Sequence, residues 1–256
     1  MSNLMGLSKN LFMEKFKLMN LTLGIDVLAV IVSAIMYWGG NGFHFNMRYL
    51  LDLFVVGLSI MSLVSFILLA NKNEHIFTSN NYRLLPITDT KLYFSNLLTT
   101  FLAFIYLQVV SQIIIVVLHW ISGENLGNIR LDEIPHLVGF VASLALLLII
   151  ITLMLYSAIT VIHFLTNWIK GVLPFKSQKW FNFILYLVVI WIALAIFNGL
   201  TVNVFRGLNY YDLFNASSME RLNQILLIAS GIFFVWIVIF SLFNIYLLKR
   251  WVETIR

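Results

Sequence analysis

An all-α integral membrane protein is the fold class this sequence predicts, and three observations carry that expectation. The 256 residues are 61% hydrophobic and 11% charged, with a mean hydropathy of +0.94, whereas about a quarter of an average globular protein is charged to keep its surface wet. Six apolar runs are long enough to cross roughly 30 Å of hydrocarbon, which takes about 20 residues at about 1.5 Å each. Lys and Arg gather in alternate connections, as the basic bias of membrane insertion requires.

The chain opens with residues 1–20, where Leu4, Leu7, Leu11, Phe12, Phe16, Leu18 and Met19 fall on one helical face and Lys9, Asn10, Glu14 and Lys17 gather opposite. Lys15 interrupts the apolar face. A long Lys can snorkel to headgroups, so this segment is expected to be an amphipathic helix lying in the inner interface before the chain turns into the first span. No small-residue cleavage pattern follows the first apolar run, and a cleaved leader is not expected.

The six spans are expected at about 21–38, 50–70, 93–120, 137–165, 181–202 and 225–248. Twelve of the 16 basic residues, from Lys9 and Lys15 through Lys72, Lys91 and Lys170 to Arg256, lie in the termini, the 71–92 connection and the 166–180 connection. The other four are Arg48, Arg130, Arg206 and Arg221. Both termini are therefore expected in the cytoplasm, and the net charge of +5 is read as loop retention at an inner leaflet rather than nucleic-acid binding. Trp38, Trp120, Trp168, Trp180 and Trp251 stand near span ends as interface anchors. Pro86 lies in a connection, and Pro135 and Pro174 lie at span boundaries, so none forces a kink in a span centre. With no internal repeat and no low-complexity linker, one membrane domain over 1–256 is the economical reading.

Several chemistries lack their residues. There is no Cys, hence no thiol nucleophile or thiolate metal site, and the five His residues never occur at i, i+4 spacing. A phosphate-cradling G-x-x-x-x-G-K-[ST] loop is missing, as are the G-x-S-x-G elbow and His-Glu-x-x-His. No catalytic residue, metal ligand or cofactor site is expected in this chain.

Two polar features lie inside spans. Thr100, Gln108, Ser111, Gln112 and His119 fall within about 120° of one another on the third span, with Tyr93 on the same side. They either hold helices together or line a route for an amphipathic substrate. Asp26 is the acid clearly inside a span, about one and a half turns from its inner end. It is either a proton or cation site or a shallow acid hydrated from the interface or bonded to a nearby Thr or Asn.

The segment from Asn73 to Leu98 reads NEHIFTSNNYRLLPITDTKLYFSNLL. The run Tyr82, Arg83, Leu84, Leu85, Pro86, Ile87, Thr88 after Glu74, followed by Lys91 and a new span, resembles the membrane subunit of bacterial ABC transporters of the type-2 exporter class. The resemblance extends to layout over nearly the whole chain: an N-terminal interfacial helix, six spans, and enlarged second-to-third and fifth-to-sixth connections. It implies a bacterial plasma-membrane permease, with ATP and Mg bound by a separate cytoplasmic ABC ATPase dimer. It also implies pairing with a second membrane subunit, identical or related. The 71–92 loop then holds the ATPase-coupling helix, with Ile76, Phe77, Tyr82, Leu84 and Leu85 as apolar anchors beside Glu74 and Arg83. Peptides, lipids, polysaccharide precursors and drugs are the cargo of similar exporters, and the 22 Phe residues suit a hydrophobic cargo and a lipid-facing surface equally. The competing readings are a proton- or cation-coupled secondary carrier centred on Asp26, an intramembrane enzyme, and a non-transporting scaffold or immunity protein.

Overall fold

Inside hydrocarbon no water is available to hydrogen-bond an open N–H or C=O, so each apolar run must satisfy its own backbone, and a helix does so within one segment. The computed structural model describes residues 4–40, 47–79, 82, 87–122, 134–172, 179–210 and 219–250. They form six long helices and, among the described residues, no strand: α1 (Leu4–Gly40), α2 (Met47–Thr78), α3 (Asp89–Ser122), α4 (Ile134–Val172), α5 (Lys179–Tyr210) and α6 (Met219–Arg250). All six are long and apolar enough to cross a membrane, the makeup of a multi-pass membrane protein.

The helices run from 32 to 39 residues, or about 48 to 58 Å at about 1.5 Å per residue. They outlast the apolar runs at both ends, because polar flanks such as Asn71 to His75 can extend the hydrogen-bond ladder without belonging to hydrocarbon. Two expectations change accordingly. α1 is one unbroken 37-residue helix, with no turn between the segment expected to lie in the interface and the first span. Between Phe16 and Ile25 there is no Pro, and the lone Gly24 weakens a helix by only about 1 kcal/mol. Residues 71–78 belong to α2, and 89–92 to α3, so the connection between them is shorter than the 71–92 loop read from hydropathy. Pro135 is the second residue of α4, where its missing N–H would have had no intrahelical partner.

Contacts gather into two compact units. The first comprises Met1–Ile76 and Pro86–Gly127, hence nearly all of α1 and α2 together with α3. Here α1 packs along α3 in the same direction: Ser8 meets Ser95 at 2.7 Å, the Phe16 and Tyr106 rings lie 4.5 Å apart, and Tyr106 Oη donates to Asn20 Oδ1 at 2.8 Å. α2 runs antiparallel to α1. Its residue numbers fall as those of α1 rise, from the Lys72–Glu14 ion pair at 2.8 Å, through Ser65 Oγ donating to Thr22 Oγ1 at 3.1 Å, to Phe54 and Leu58 clustered with Val30. Leu50, Leu53, Ile114, Ile115 and Leu118 close that apolar end.

The second unit comprises Phe77–Leu85 and Asn128–Arg256. α4 packs most closely on α6 and also touches α5. Small and polar side chains stand at these contacts, as expected where lipid supplies no hydrophobic drive and helices associate through close packing and hydrogen bonds. Asn244 Nδ2 donates to the Ser157 carbonyl at 2.8 Å, and Trp236 Nε1 donates to Thr201 Oγ1 at 3.1 Å with the Phe197 ring 5.1 Å away. His163 accepts or donates on both ring nitrogens, to Asn167 at 2.9 Å and Tyr186 Oη at 3.0 Å, which makes it a packing residue of this unit.

Candidate functional site

Three α3 residues one turn or less apart, Asn96, Thr99 and Thr100, present oxygens to the same side because helical residues i, i+3 and i+4 are neighbours. Into that cradle α1 sends Lys15. Its Nζ donates to the Asn96 carbonyl at 2.9 Å, Asn96 Oδ1 at 2.5 Å, Thr99 Oγ1 at 2.9 Å and Thr100 Oγ1 at 2.7 Å. An ammonium has three protons, so one is shared between two of these four oxygens. The side chain is 0% exposed. This overturns the expectation that Lys15 snorkels to headgroups: a nearby set of oxygens replaces its hydration, and the apolar stem packs within the unit.

The cradle extends to α2. Asn96 Nδ2 donates to the Asn73 carbonyl at 2.9 Å, and Thr100 Oγ1 lies 3.1 Å from Asn73 Oδ1 and 2.8 Å from the Asn96 carbonyl. Thr99 Oγ1 donates back to the Ser95 carbonyl at 2.8 Å, the usual way a Thr satisfies itself inside a helix. One ammonium thus ties the last turns of α2 to the first turns of α3 and to α1. Glu14, the neighbouring acid in sequence, points elsewhere and pairs with the half-exposed Lys72, so the cluster around Lys15 is built from neutral oxygens.

A second polar feature sits farther along α1. Asp26 is 1% exposed and its Oδ2 has no hydrogen-bond partner among the described residues. The expected bond to a nearby Thr or Asn is not made by this oxygen among the described residues. What receives the carboxyl is Gly57 of α2. A Cβ on Gly57 would stand 2.5 Å from Asp26 Oδ1 and 3.5 Å from its Cγ, so any side chain there would make the carboxyl shift.

The polar stripe expected along α3 divides among different surroundings. Thr100 belongs to the Lys15 cradle. Gln108 Nε2 donates to Ser62 Oγ of α2 at 3.0 Å. Ser111 is buried, with no partner for its Oγ among the described residues, and His119 is half-buried near the far end of the helix. Gln112 is exposed. The stripe is therefore mainly helix-packing polarity at its first members, and the five residues do not form one lining.

Of the residues expected to dock a partner ATPase, Ile76 and Phe77 are both 0% exposed, and Phe77 stands edge-on to Phe164 with ring centroids 5.3 Å apart. They serve the internal packing of the chain. Glu74 and Tyr82 are half-exposed, and Arg83, Leu84 and Leu85 lie outside the described residues. The sequence reading missed Asn73, Asn96 and Thr99; an Asn-x-x-Thr-Thr run opening an apolar span, facing a Lys on another amphipathic face, was the available signal.

Lys15→Ala removes the donor and leaves buried neutral oxygens without a partner, so it is expected to destabilise the detergent-solubilised chain by about 1 to 3 kcal/mol, the usual cost of leaving buried polar groups unsatisfied. Lys17→Ala, on the charged face, is the control and should change the thermal midpoint little; equal midpoints for the two variants would remove the cradle's structural role. Gly57→Ala should also destabilise, because the added methyl overlaps Asp26 Oδ1. The double variant Asp26→Ala with Gly57→Ala should recover most of that loss, and a double-mutant cycle without coupling would show that the two residues do not meet. No protein-family model, curated protein or solved structure matches this chain.

Proposed function

We propose that this chain is the membrane subunit of an ATP-driven exporter of the type-2 ABC class. In this reading it lies in a bacterial plasma membrane with both termini cytoplasmic, and with a second membrane subunit it forms the path for a peptide, lipid or other amphipathic compound. ATP hydrolysis belongs to a separate ATPase dimer that docks on the connection between α2 and α3.

The observation that carries this reading is the rooting of that connection. A segment that receives mechanical work from a partner must be stiffly joined to the helices it moves, since a loose joint would dissipate the displacement. Lys15 binds the turns on both sides of the connection, Asn73 before it and Asn96 with Thr100 after it, into one hydrogen-bonded cluster. Between those turns the packed Ile76 and Phe77 act as internal anchors, while Glu74 and Tyr82 are half-exposed. The resemblance of the Tyr82 to Thr88 run to the exporter class supports the same assignment.

Asp26 favours a second reading, a proton- or cation-coupled carrier, because a buried carboxyl without a hydrogen-bonding partner inside a span is a common mark of an ion pathway.

Tyr82→Ala with Arg83→Ala is expected to weaken ATPase association by at least about tenfold, as loss of an aromatic and Arg anchor at an interface does, and to uncouple hydrolysis from transport while the chain still inserts. Co-purification of the ATPase and cargo-stimulated hydrolysis measure both; unchanged values would take the coupling role from this connection. Asp26→Asn separates the two readings, since an ATP-driven pump should keep most of its transport with the isosteric amide. Transport lost in Asp26→Asn, and lost from the unaltered chain when the proton gradient is dissipated, would establish the carrier.

A further inference from the structure

An amide exposed on a membrane-crossing helix cannot be left to lipid, because hydrocarbon offers neither donor nor acceptor. Gln112 is in that position. It is exposed and makes no hydrogen bond among the described residues, unlike Gln108 one turn earlier, which is held by Ser62. The two glutamines border a shallow groove of about 400 Å³ whose other walls are Val109, Ile113, Val116 and Val117. Gln112 lies eight residues before Trp120, hence about 12 Å along the axis from an interface anchor. Its short stem does not reach the headgroups from there. Asn198 of α5 is also exposed but follows Trp180 by eighteen residues, about 27 Å and so nearly a whole hydrocarbon thickness, which returns it to an interface where water can serve it.

We propose that this face of α3 is the contact between two copies of the chain, with Gln112 hydrogen-bonded to its own counterpart. Three properties select a second copy. A glutamine amide carries both donor and acceptor, so it is its own complement across a twofold axis. Two copies inserted under the same basic bias have the same orientation, so a twofold along the membrane normal sets equal-numbered residues at equal depth, and Gln112 meets Gln112. The exposed apolar residues Leu102, Val109 and Val116 recur every seven positions with Gln112 between the last two, the spacing of a left-handed helix pair with a single polar residue that fixes register. This assignment requires only that the helices span a bilayer; it does not need the ATPase.

The chain contains no Cys, so single substitutions report directly. The full chain with Val109→Cys, Gln112→Cys or Val116→Cys is oxidised in native membranes without any ATPase, beside Ile35→Cys and Leu242→Cys, which are exposed on α1 and α6. The α3 positions should give a covalent species at twice the 29.5 kDa chain mass, at least about fivefold above the controls given the short reach of a disulfide. In the Val116→Cys background, Gln112→Leu should lower the yield severalfold and Gln112→Asn should preserve it. Yields no higher than the controls at all three positions, or a Val116→Cys yield indifferent to Gln112→Leu, would overturn the proposal. Rapid labelling of Gln112→Cys by a membrane-impermeant maleimide would overturn it too, by placing the groove on an aqueous path. Failure of an ATPase to associate would leave this result untouched, so the dimer contact and the exporter reading fall separately.

Discussion

A buried ammonium has to be surrounded by oxygen, and in the first unit that requirement organises three helices at once. Lys15 draws Asn96, Thr99 and Thr100 of α3 around its nitrogen, and Asn96 and Thr100 in turn engage Asn73 of α2. Removing a charge of this size from water costs several kcal/mol, which is offset only when nearly every proton finds a partner. The geometry therefore tolerates little sliding of α1 along α3. The parallel offset of that pair, visible again in the Ser8–Ser95 and Asn20–Tyr106 contacts, follows from where one lysine has to sit.

The second unit reaches a similar end with weaker means. Its helices meet through Ser157 and Asn244, through Thr201 and Trp236, and through His163 with Tyr186, each a neutral hydrogen bond of the kind that contributes about 0.6 to 2 kcal/mol between membrane helices. α5 exposes most of its length, including Trp191, Leu194 and Leu200. Apolar side chains on such a helix can face lipid at no cost, so the informative residues are the polar ones. By that criterion Gln112 on α3 demands a partner, and the surrounding valines do not.

Asp26 and Gly57 show the same logic without a hydrogen bond. The carboxyl stands where it does because the facing residue has no side chain, and a Cβ there would force it to move. A site so close-fitting suits a group kept from water more than one that exchanges with it, which is why the rooted connection between α2 and α3 carries the functional reading and Asp26 only the second one. The cluster at Lys15 lies beside that connection and the Asp26–Gly57 contact lies farther along the same two helices.

Composition and hydropathy alone determined the helical class and the six long apolar helices found among the described residues, because the bilayer imposes length and backbone satisfaction on any sequence this poor in charge. The centres of the runs, from Leu21–Trp38 to Ile225–Leu248, all fall inside observed helices. Helix ends were not legible in the same way: a hydropathy window marks the edge of the apolar run, while the backbone ladder continues through Asn71 to Thr78 and through residues 4–20. The polar side chains were readable as exceptions but not as partners. A helical wheel places Thr100, Gln108, Ser111, Gln112 and His119 on one arc, yet only the packing of α1 and α2 against α3 decides that Thr100 meets Lys15, Gln108 meets Ser62 and Gln112 meets neither. Lys15 read as a snorkelling residue since its own helix offers no acceptor; its oxygens come from residues more than eighty positions away. Gly57 carried no signal at all, because a glycine's importance to a carboxyl 31 positions earlier exists only once two antiparallel helices bring them together.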